Sequence, residues 1–485
     1  MKRSKQWLSF LLSMGILATV TSCSSTDTGT ASDGGTGGST AGDIGGGSGG
    51  SSDGTIEIEL VSWQFGQEGD DNMERAMIAK YEEMNPGVKI VVTVPPEGES
   101  QEELLASRAA TGDLPDVFDW GNNVDLITMG WAADLTEFVS ADAEWDNVVD
   151  PLTPGTTYNG KTYLLPRKMN LMGMFINKDI YATNNLAPLE FGYSMDDLMN
   201  ALEKTTTATT KGTSNYFPVD QFYPLVANPE TYGFATYNYD TQTLNYNAEE
   251  YARGVEYSME VYDKNLDLRH TSGEEFFGRA GWEWGEIGGI GNQFDGTWFF
   301  EWERPFSYDY IGLPNNISGI LTNDYLAIAA TSDVKEQAFD FVRFMTYSLE
   351  GVTARLDLQD EFPDKYKFSG IPVIAGADSS IDERFLAWYV DNSYPGFVAA
   401  YANINETAVF EGNKEIAGLN YALYDNETGV MGTDGDGNSV TFKMWQLREE
   451  IMAGRQNLSD HADMMTELAN QALVEAREKL NAATG

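Results

Sequence analysis

The chain is poor in the residues from which many catalytic centres are built. Its 485 residues include one cysteine, Cys23, and two histidines, His270 and His461. A single cysteine excludes an intramolecular disulfide, so the fold stands on its core alone. A Ser-His-Asp triad would have to use one of the two histidines, and no histidine cluster suggests zinc. Positive charge is also scarce. The 30 basic residues against 75 acidic ones give a formal net charge of -45. So acidic a surface repels nucleic acid and anionic lipid, and neither is expected as a partner. Hydrophobic residues make up 42%, enough for a sizeable core and too few for a polytopic membrane protein. Aromatics at 12%, with clear hydrophobic periodicity, argue for folding despite the acidity. The length suggests two or three compact units, at about 100–200 residues each.

The start of the chain indicates a compartment. Lys2, Arg3 and Lys5 precede an apolar run from Trp7 to Val20. That run is too short, and too closely followed by small residues, for a stop-transfer helix. Val20-Thr21-Ser22-Cys23 resembles the lipobox of bacterial lipoproteins. The resemblance implies a leader over 1–22, cleavage before Cys23 and acylation of Cys23, for example with palmitate. The other reading is an ordinary signal peptide with an incidental cysteine. Hydrocarbon on Cys23 would hold the chain at a membrane face, and this lipid anchor would be its only membrane contact. Residues 24–54 are almost wholly Ser, Gly, Thr, Ala and Asp, a flexible tether. Its root-mean-square span is roughly 30 Å, at about 5–6 Å times √n.

Beyond the tether, Thr55 to Val61 alternates Ile56, Ile58 and Leu60 with polar residues, which predicts a strand. Ser62 to Gly66 then forms the loop at its carboxyl end. Met73, Ala76, Met77, Tyr81 and Met84 recur at helical spacing, and Asn85-Pro86-Gly87 stops that helix. A second strand over Val88–Val94, a helix over Glu102–Ala110 and a short strand at Asp116–Phe118 follow. Strands alternating with helices predict an α/β fold with a mainly parallel sheet. Ligands bind such sheets outside the carboxyl ends of the strands, where Trp63 and Trp120 fall. A last helix is read over Asp463–Leu480.

Several segments resemble the family 1 extracellular solute-binding proteins of bacterial ABC importers. Tyr81 to Ile90 looks like that family's first helix, its "NPG" turn and its second strand. Ala110-Thr111-Gly112-Asp113-Leu114-Pro115-Asp116-Val117 looks like its most recognisable motif. Asn159 to Pro166 resembles its hairpin leading to a hinge, Met174 to Asp179 the strand entering a second lobe, and Ser332 to Gly351 a late helix of the first. Phe191 to Leu198 departs from the family's tryptophan-bearing segment but keeps an N-cap at Ser194 with Asp197 three residues on. The region 373–485 matches only in outline. The resemblance implies a two-lobed periplasmic-binding-protein-like fold with a hinge and an interlobe ligand cleft. Lobe one is expected at 55–166 with 321–372, and lobe two at 167–320 with 373–485. It also implies a carbohydrate ligand, an ABC permease as partner, a monomer without cofactor, and a place on the outer face of a cell membrane. The long tether suits a Gram-positive envelope.

Sugars have apolar C–H faces and a rim of hydroxyls, so their sites pair flat aromatic platforms with polar groups. Strand-end position favours Trp63 with Gln64, and Trp120 with Asp119 and Asn122. Asp295-Gly296-Thr297-Trp298 resembles the family's "G-x-W" segment, which implies Trp298 as a sugar platform. Asp295 is read as a hydroxyl acceptor, because a carboxylate makes charge-assisted bonds. Arg167, beside the hinge, is placed to donate to ring oxygens or to an acidic sugar. Trp282, Trp284 and Trp302 form an aromatic stretch with Glu283, Glu286 and Glu301, lining a cleft or packed in the core. Thr433 to Asn438 looks like a calcium-loop fragment, but it lacks the closing bidentate acid and reads equally as a hairpin turn. Gly155 to Thr162 fits the P-loop letters, yet a proline-stopped strand follows where a helix is needed. The only G-x-S-x-G match, Gly46 to Gly50, lies in the tether, where no nucleophile elbow forms. No enzyme is expected. Two alternatives stay open: a binding protein for another polar solute such as a peptide, and a cell-surface glycosidase with a carboxylate pair.

Overall fold

The computed structural model describes residues 54–66, 69–96, 99–214, 217–269, 289–433 and 437–485. The leader, Cys23, almost all of the tether, His270, Trp282, Trp284 and Asp434–Asp436 lie outside the described residues.

Strand β1, Ile56–Val61, turns Ile58 and Leu60 inward. Helix α1, Met73–Met84, is opened by Asn72, whose side chain accepts from the Arg75 N–H, and it buries Met73, Met77, Ile78 and Tyr81. The Asn85-Pro86-Gly87 stop leads into β2, Val88–Thr93. Helix α2, Gln101–Thr111, starts with a capping box between Ser100 and Glu103. It ends at Gly112, whose φ of 73° is left-handed and so favours glycine. Then come β3, Val117–Phe118, and the short helix α3, Asn123–Thr128. The helix expected after Ser194 forms at Met195–Thr205 with the Ser194–Asp197 capping box.

The P-loop letters fold as a hairpin. β4, Thr157–Tyr158, pairs antiparallel with β5, Lys161–Thr162, across Asn159 and Gly160, both at positive φ. This is the Asn-Gly turn of a two-residue hairpin, not a phosphate loop.

The strand that follows differs from expectation. Pro166 does not stop it: β6 runs from Leu164 to Asn177. Its antiparallel partner β10, Gly319–Ile328, pairs Tyr325 with Pro166 and Asp324 with Lys168, so Arg167 is the extra residue of a bulge. A bulge tolerates proline because the ladder is already interrupted there.

The remaining strands are β7, Lys211–Thr213; β8, Ile290–Gly296; β9, Tyr308–Tyr310; β11, Ala408–Phe410; β12, Glu427–Thr433; and β13, Ser439–Lys443. The main sheet is ordered β2-β1-β3-β10-β6-β8-β7, with β11 on β10 and β9 on β6. It is mixed, not mainly parallel. β2-β1-β3 and β7-β8 are parallel groups at its two ends, while β10 and β6 run antiparallel through the middle. β12 and β13 form a separate hairpin flanking the candidate calcium loop.

Two large cores lie along this sheet. The first holds Ile58, Leu60, Met77, Tyr81 and Phe341, together with Val373, Phe385 and Phe397. The second holds Leu198, Leu202, Phe222, Tyr251, Phe294, Leu447 and Met465. β6 serves both, giving Leu165 and Leu171 to the first and Met174 and Ile176 to the second. β10 does likewise with Leu326 and Ile320. Each fully buried side chain of this size contributes roughly 1.5–3 kcal/mol. The last helix extends beyond its expected bounds, from Leu458 to Thr484. It packs Met465 and Leu473 into the second core and Leu480 against a smaller cluster with Leu105, Phe118 and Val124. Among the described residues no helix is long and apolar enough to cross a membrane.

Candidate functional site

The loops after β1 and β3 are braced into one unit. Ser62 Oγ donates to Asp119 Oδ2 at 2.6 Å. The buried Gln101 side chain donates to the Asp119 carbonyl at 2.9 Å and to Asp119 Oδ1, and it accepts from the Trp63 N–H at 2.7 Å. Burial raises the Asp119 pKa, while Ser62 and Gln101 pull the other way. Asp119, expected to meet ligand, is 6% exposed with one oxygen bonded to Ser62 of the loop and the other to Gln101 of α2, so it braces the two loops. Trp63 is carried outward, 61% exposed. Trp120 is half-buried and meets Trp131 edge-to-face at 5.3 Å. Asn122 caps α3, accepting from the Val124 N–H at 3.2 Å, so its carbonyl oxygen is engaged.

Arg167 also departs from its expected role. The bulge turns its side chain into the protein, where 2% of it is exposed. There it lies 3.6 Å from Glu74 and 3.5 Å from Asp324. Glu74 in turn forms a bidentate pair with Arg355 at 2.6 and 2.9 Å. Burial would raise the Glu74 pKa, but Arg355, then Arg167 and Lys168, bring it down to about 2. Arg167 is thus engaged with carboxylates of the chain.

Asp324 is where several elements converge. It accepts from Gln64 Nε2 at 2.9 Å, lies beside Arg167, and is 3.5 Å from Lys414 Nζ. The Lys414 carbonyl accepts from the Asn123 N–H at 3.2 Å, which ties this residue to the loop bearing Trp120. Burial would raise the Asp324 pKa, but Lys414, Arg167 and Lys168 hold it at about 2. Gln64, named from sequence, and the loop that carries Trp120 are thus linked through Asp324 and Lys414, which sequence reasoning missed. The signal for Asp324 was a charge set directly before the apolar run Tyr325–Ala330. Lys414 lies in the region of weakest resemblance.

Trp298 stands in a 3-10 turn, Thr297–Glu301, directly after β8. Its indole N–H donates to Asp295 Oδ1 at 2.9 Å. Asp295 also accepts from the Gly296 N–H at 2.8 Å and from Gln293 Nε2 at 2.8 Å. The carboxylate is 4% exposed, and burial pushes its pKa up to about 6 against those bonds. Asp295 thus orients the indole. A Cβ at Gly296 would meet the Trp298 ring at 2.4 Å, so glycine is what allows the ring to lie there. Thr297 Oγ1 accepts from the Leu171 N–H at 3.1 Å and donates to Asn170 at 3.0 Å. At the far end of the turn, Glu301 lies 4.0 Å from Lys168. These contacts seat the Trp298 turn along β6 close to the Arg167 bulge. Trp302 is 46% exposed, beside Arg304, whose guanidinium also covers Phe299 at 4.0 Å.

Another depression, of about 370 Å³, is lined by Asn177, Asp179, Thr207, Thr210 and Phe306 and includes none of the named site residues. Among the described residues, no group of three His, Cys, Asp or Glu side chains could hold a metal ion.

The fold defines a class: it is that of the two-lobed solute-binding proteins. An ABC substrate-binding protein of Listeria monocytogenes, solved in complex with cycloalternan, superposes with a TM-score of 0.58 at 19% identity, over 89% of this chain and 99% of that one. A cyclic alpha-maltosyl-1,6-maltose binding protein of Arthrobacter globiformis gives 0.60 at 19% identity, over 87% and 99%. The chain belongs to the bacterial extracellular solute-binding protein family, whose model matches residues 46–347, more than half its length. The melibiose/raffinose/stachyose-binding protein MelE of Bacillus subtilis is 28% identical over 185 residues. That match spans 35% of this chain and 40% of MelE.

Proposed function

We propose that this protein captures a sugar or oligosaccharide between two lobes and delivers it to an ABC permease, held at the outer face of the cell membrane by lipid on Cys23. Its role is binding, without catalysis. The supporting observation is Trp298: a half-buried indole whose direction is set by Asp295 and whose position requires Gly296. An aromatic platform fixed in this way fits stacking on a sugar's C–H face. Trp63, Trp120 and Gln64 supply further platforms and a polar edge. The names of the Listeria, Arthrobacter and Bacillus relatives point to the same ligand class.

The lobes we assign are 55–166 with 321–410, and 167–320 with 411–485. Residues 373–410 are placed with the first lobe because Val373, Phe385 and Phe397 pack in the first core, into which Phe299, Phe300, Tyr308 and Tyr310 of the segment 167–320 also reach. β6 and β10 are the crossovers. Closure about them would be favoured by a ligand touching both lobes.

The test is the melting temperature of the full chain, purified in detergent, against a panel of mono- and oligosaccharides, with the mixtures analysed for cleavage. A ligand bound only by the native state raises melting by mass action. We expect a shift of several degrees with one glycan, intact sugar afterwards, and loss of the shift in Trp298→Ala. Cleaved sugar would point to a glycosidase, and no shift with any sugar would point to another polar solute.

A further inference from the structure

From the geometry at the bulge we infer that Asp324 and Lys414 together form the specificity-determining contact for a neutral glycan, taking two adjacent hydroxyls between them. The inference rests on the sugar-binding reading and names the groups that read the sugar.

Four observations carry it. First, three of the chain's 30 basic residues, Arg167, Lys168 and Lys414, gather around Asp324 in a protein of net charge -45, with Glu74 beside Arg167 and Glu301 beside Lys168 to balance their charge. Second, the members differ in exposure. Arg167 is 2% exposed at the side chain, while Asp324 is 25% and Lys414 38% exposed. The arginine lies beneath and the other two face outward. Third, Asp324 Oδ1 and Lys414 Nζ are 3.5 Å apart. That is a long ionic contact, and a hydroxyl can approach either atom at the shorter charge-assisted distance of about 2.5–2.9 Å. Fourth, Arg167 Nε, on the arginine beside Asp324, and Asn413 Oδ1, on the residue before Lys414, are buried with no hydrogen-bond partner among the described residues. The pair therefore sits in a polar site whose hydrogen-bonding capacity the chain does not fill.

The chemistry selects the ligand. A carboxylate only accepts and an ammonium only donates, whereas a sugar hydroxyl does both. Adjacent hydroxyls can donate to Asp324 and accept from Lys414 at once. A uronic acid would place its charge near Asp324 and Glu301 and against the field of the whole chain. Gln64, held by Asp324, borders the pair, and the Lys414 carbonyl is bonded to the loop that bears Trp120.

The experiment is titration calorimetry of the full chain in detergent with raffinose, maltotriose and cycloalternan as neutral probes and trigalacturonate as the acidic one. It is run on the wild type, Asp324→Asn, Lys414→Met and Trp298→Ala. Wild type is expected to bind a neutral probe and not trigalacturonate. Asp324→Asn and Lys414→Met should each weaken that binding roughly 10- to 100-fold, the range for a bond to a charged group. Their melting without ligand, followed alongside, should stay within a few degrees. A deoxy analogue of the bound sugar lacking one contacted hydroxyl should lose affinity for the wild type and not for Asp324→Asn, a signature no purely structural role produces. The inference is overturned if both variants bind as the wild type does, or if trigalacturonate binds more tightly than the neutral probes. In either case sugar binding itself survives. A wild type that binds none of the four removes the sugar reading and this inference together.

Discussion

Two arginine–aspartate pairs in this protein look alike in sequence and differ in surroundings. Arg448 and Asp220, in the second core, meet at 2.6 Å with 5% and 0% of their side chains exposed, and Tyr251 donates to the same carboxylate oxygen at 3.3 Å. Arg167 and Asp324, at the bulge between the crossovers, meet at 3.5 Å, and only the arginine is sealed. The enclosed pair faces no solvent, although Asp220 Oδ1 itself finds no partner among the described residues, so its work is structural. The open pair has its cation below and its anion toward solvent, an arrangement suited to receiving a ligand. Exposure and spacing, more than residue type, separate scaffold from site here.

The largest effect should come from breaking the enclosed pair. Asp220→Ala leaves the Arg448 charge buried without its partner, which costs about 3–5 kcal/mol. Urea denaturation should show this as a lowered midpoint with little change of slope. Asp324→Asn, whose amide oxygen still accepts from Gln64, should cost about 1 kcal/mol at most, as solvent-facing pairs do. Equal losses in the two variants would erase the distinction between the pairs.

A second contrast lies in how carboxyls in different surroundings respond to pH. Glu74 and Asp324 are surrounded by cations and are held at about 2, below their ordinary values of 4.5 and 3.8. Their stabilisation is present above the ordinary value and is lost as pH falls toward 2. Asp295, Asp309 and Glu415 have the opposite sign. Burial raises the two aspartates to about 6 and Glu415 to about 8. In the folded state they keep protons that the unfolded chain has released, so stability falls as pH rises from about 4 through 6 for the aspartates, and on through 8 for Glu415. Stability should therefore peak under mildly acidic conditions. Denaturation midpoints measured from pH 3 to 9 would show the peak. Asp295→Asn should flatten the decline between pH 4 and 6, and an unchanged slope in that variant would mean that Asp295 ionises normally.

Local patterns were legible where they are set by neighbours in sequence. The alternation of Ile56, Ile58 and Leu60, the Ser194–Asp197 cap and the Asn159-Gly160 turn all formed as read. Pro166 was misread because a bulge needs a partner strand, and β10 begins more than 150 residues later. Trp298 could be named from its motif, but not that Asp295 would be spent on orienting it. Asp119 was expected at the ligand from its strand-end position, and Arg167 from its place beside the hinge. Whether such a residue faces outward or braces a loop depends on Gln101, Glu74 and Asp324, which arrive from distant segments. Lys414 was missed for the same reason.

The smallest expected effect tests the same distinction within one loop. Trp120 and Asn122 are two residues apart after β3, yet the Asn122 side chain is turned back to cap α3. Asn122→Ala should cost about 1 kcal/mol, the usual loss for an N-cap, and Asn122→Ser should restore most of it because serine caps nearly as well. If the side chain is only a cap, Asn122→Ser keeps both the melting temperature and the sugar-induced shift. A serine variant that melts normally but no longer responds to sugar would place Asn122 at the ligand, beside Trp120. Trp120→Ala makes the complementary comparison. Its half-buried ring packs on Trp131, so its loss should lower melting modestly while reducing the sugar-induced shift by more than any change at the cap.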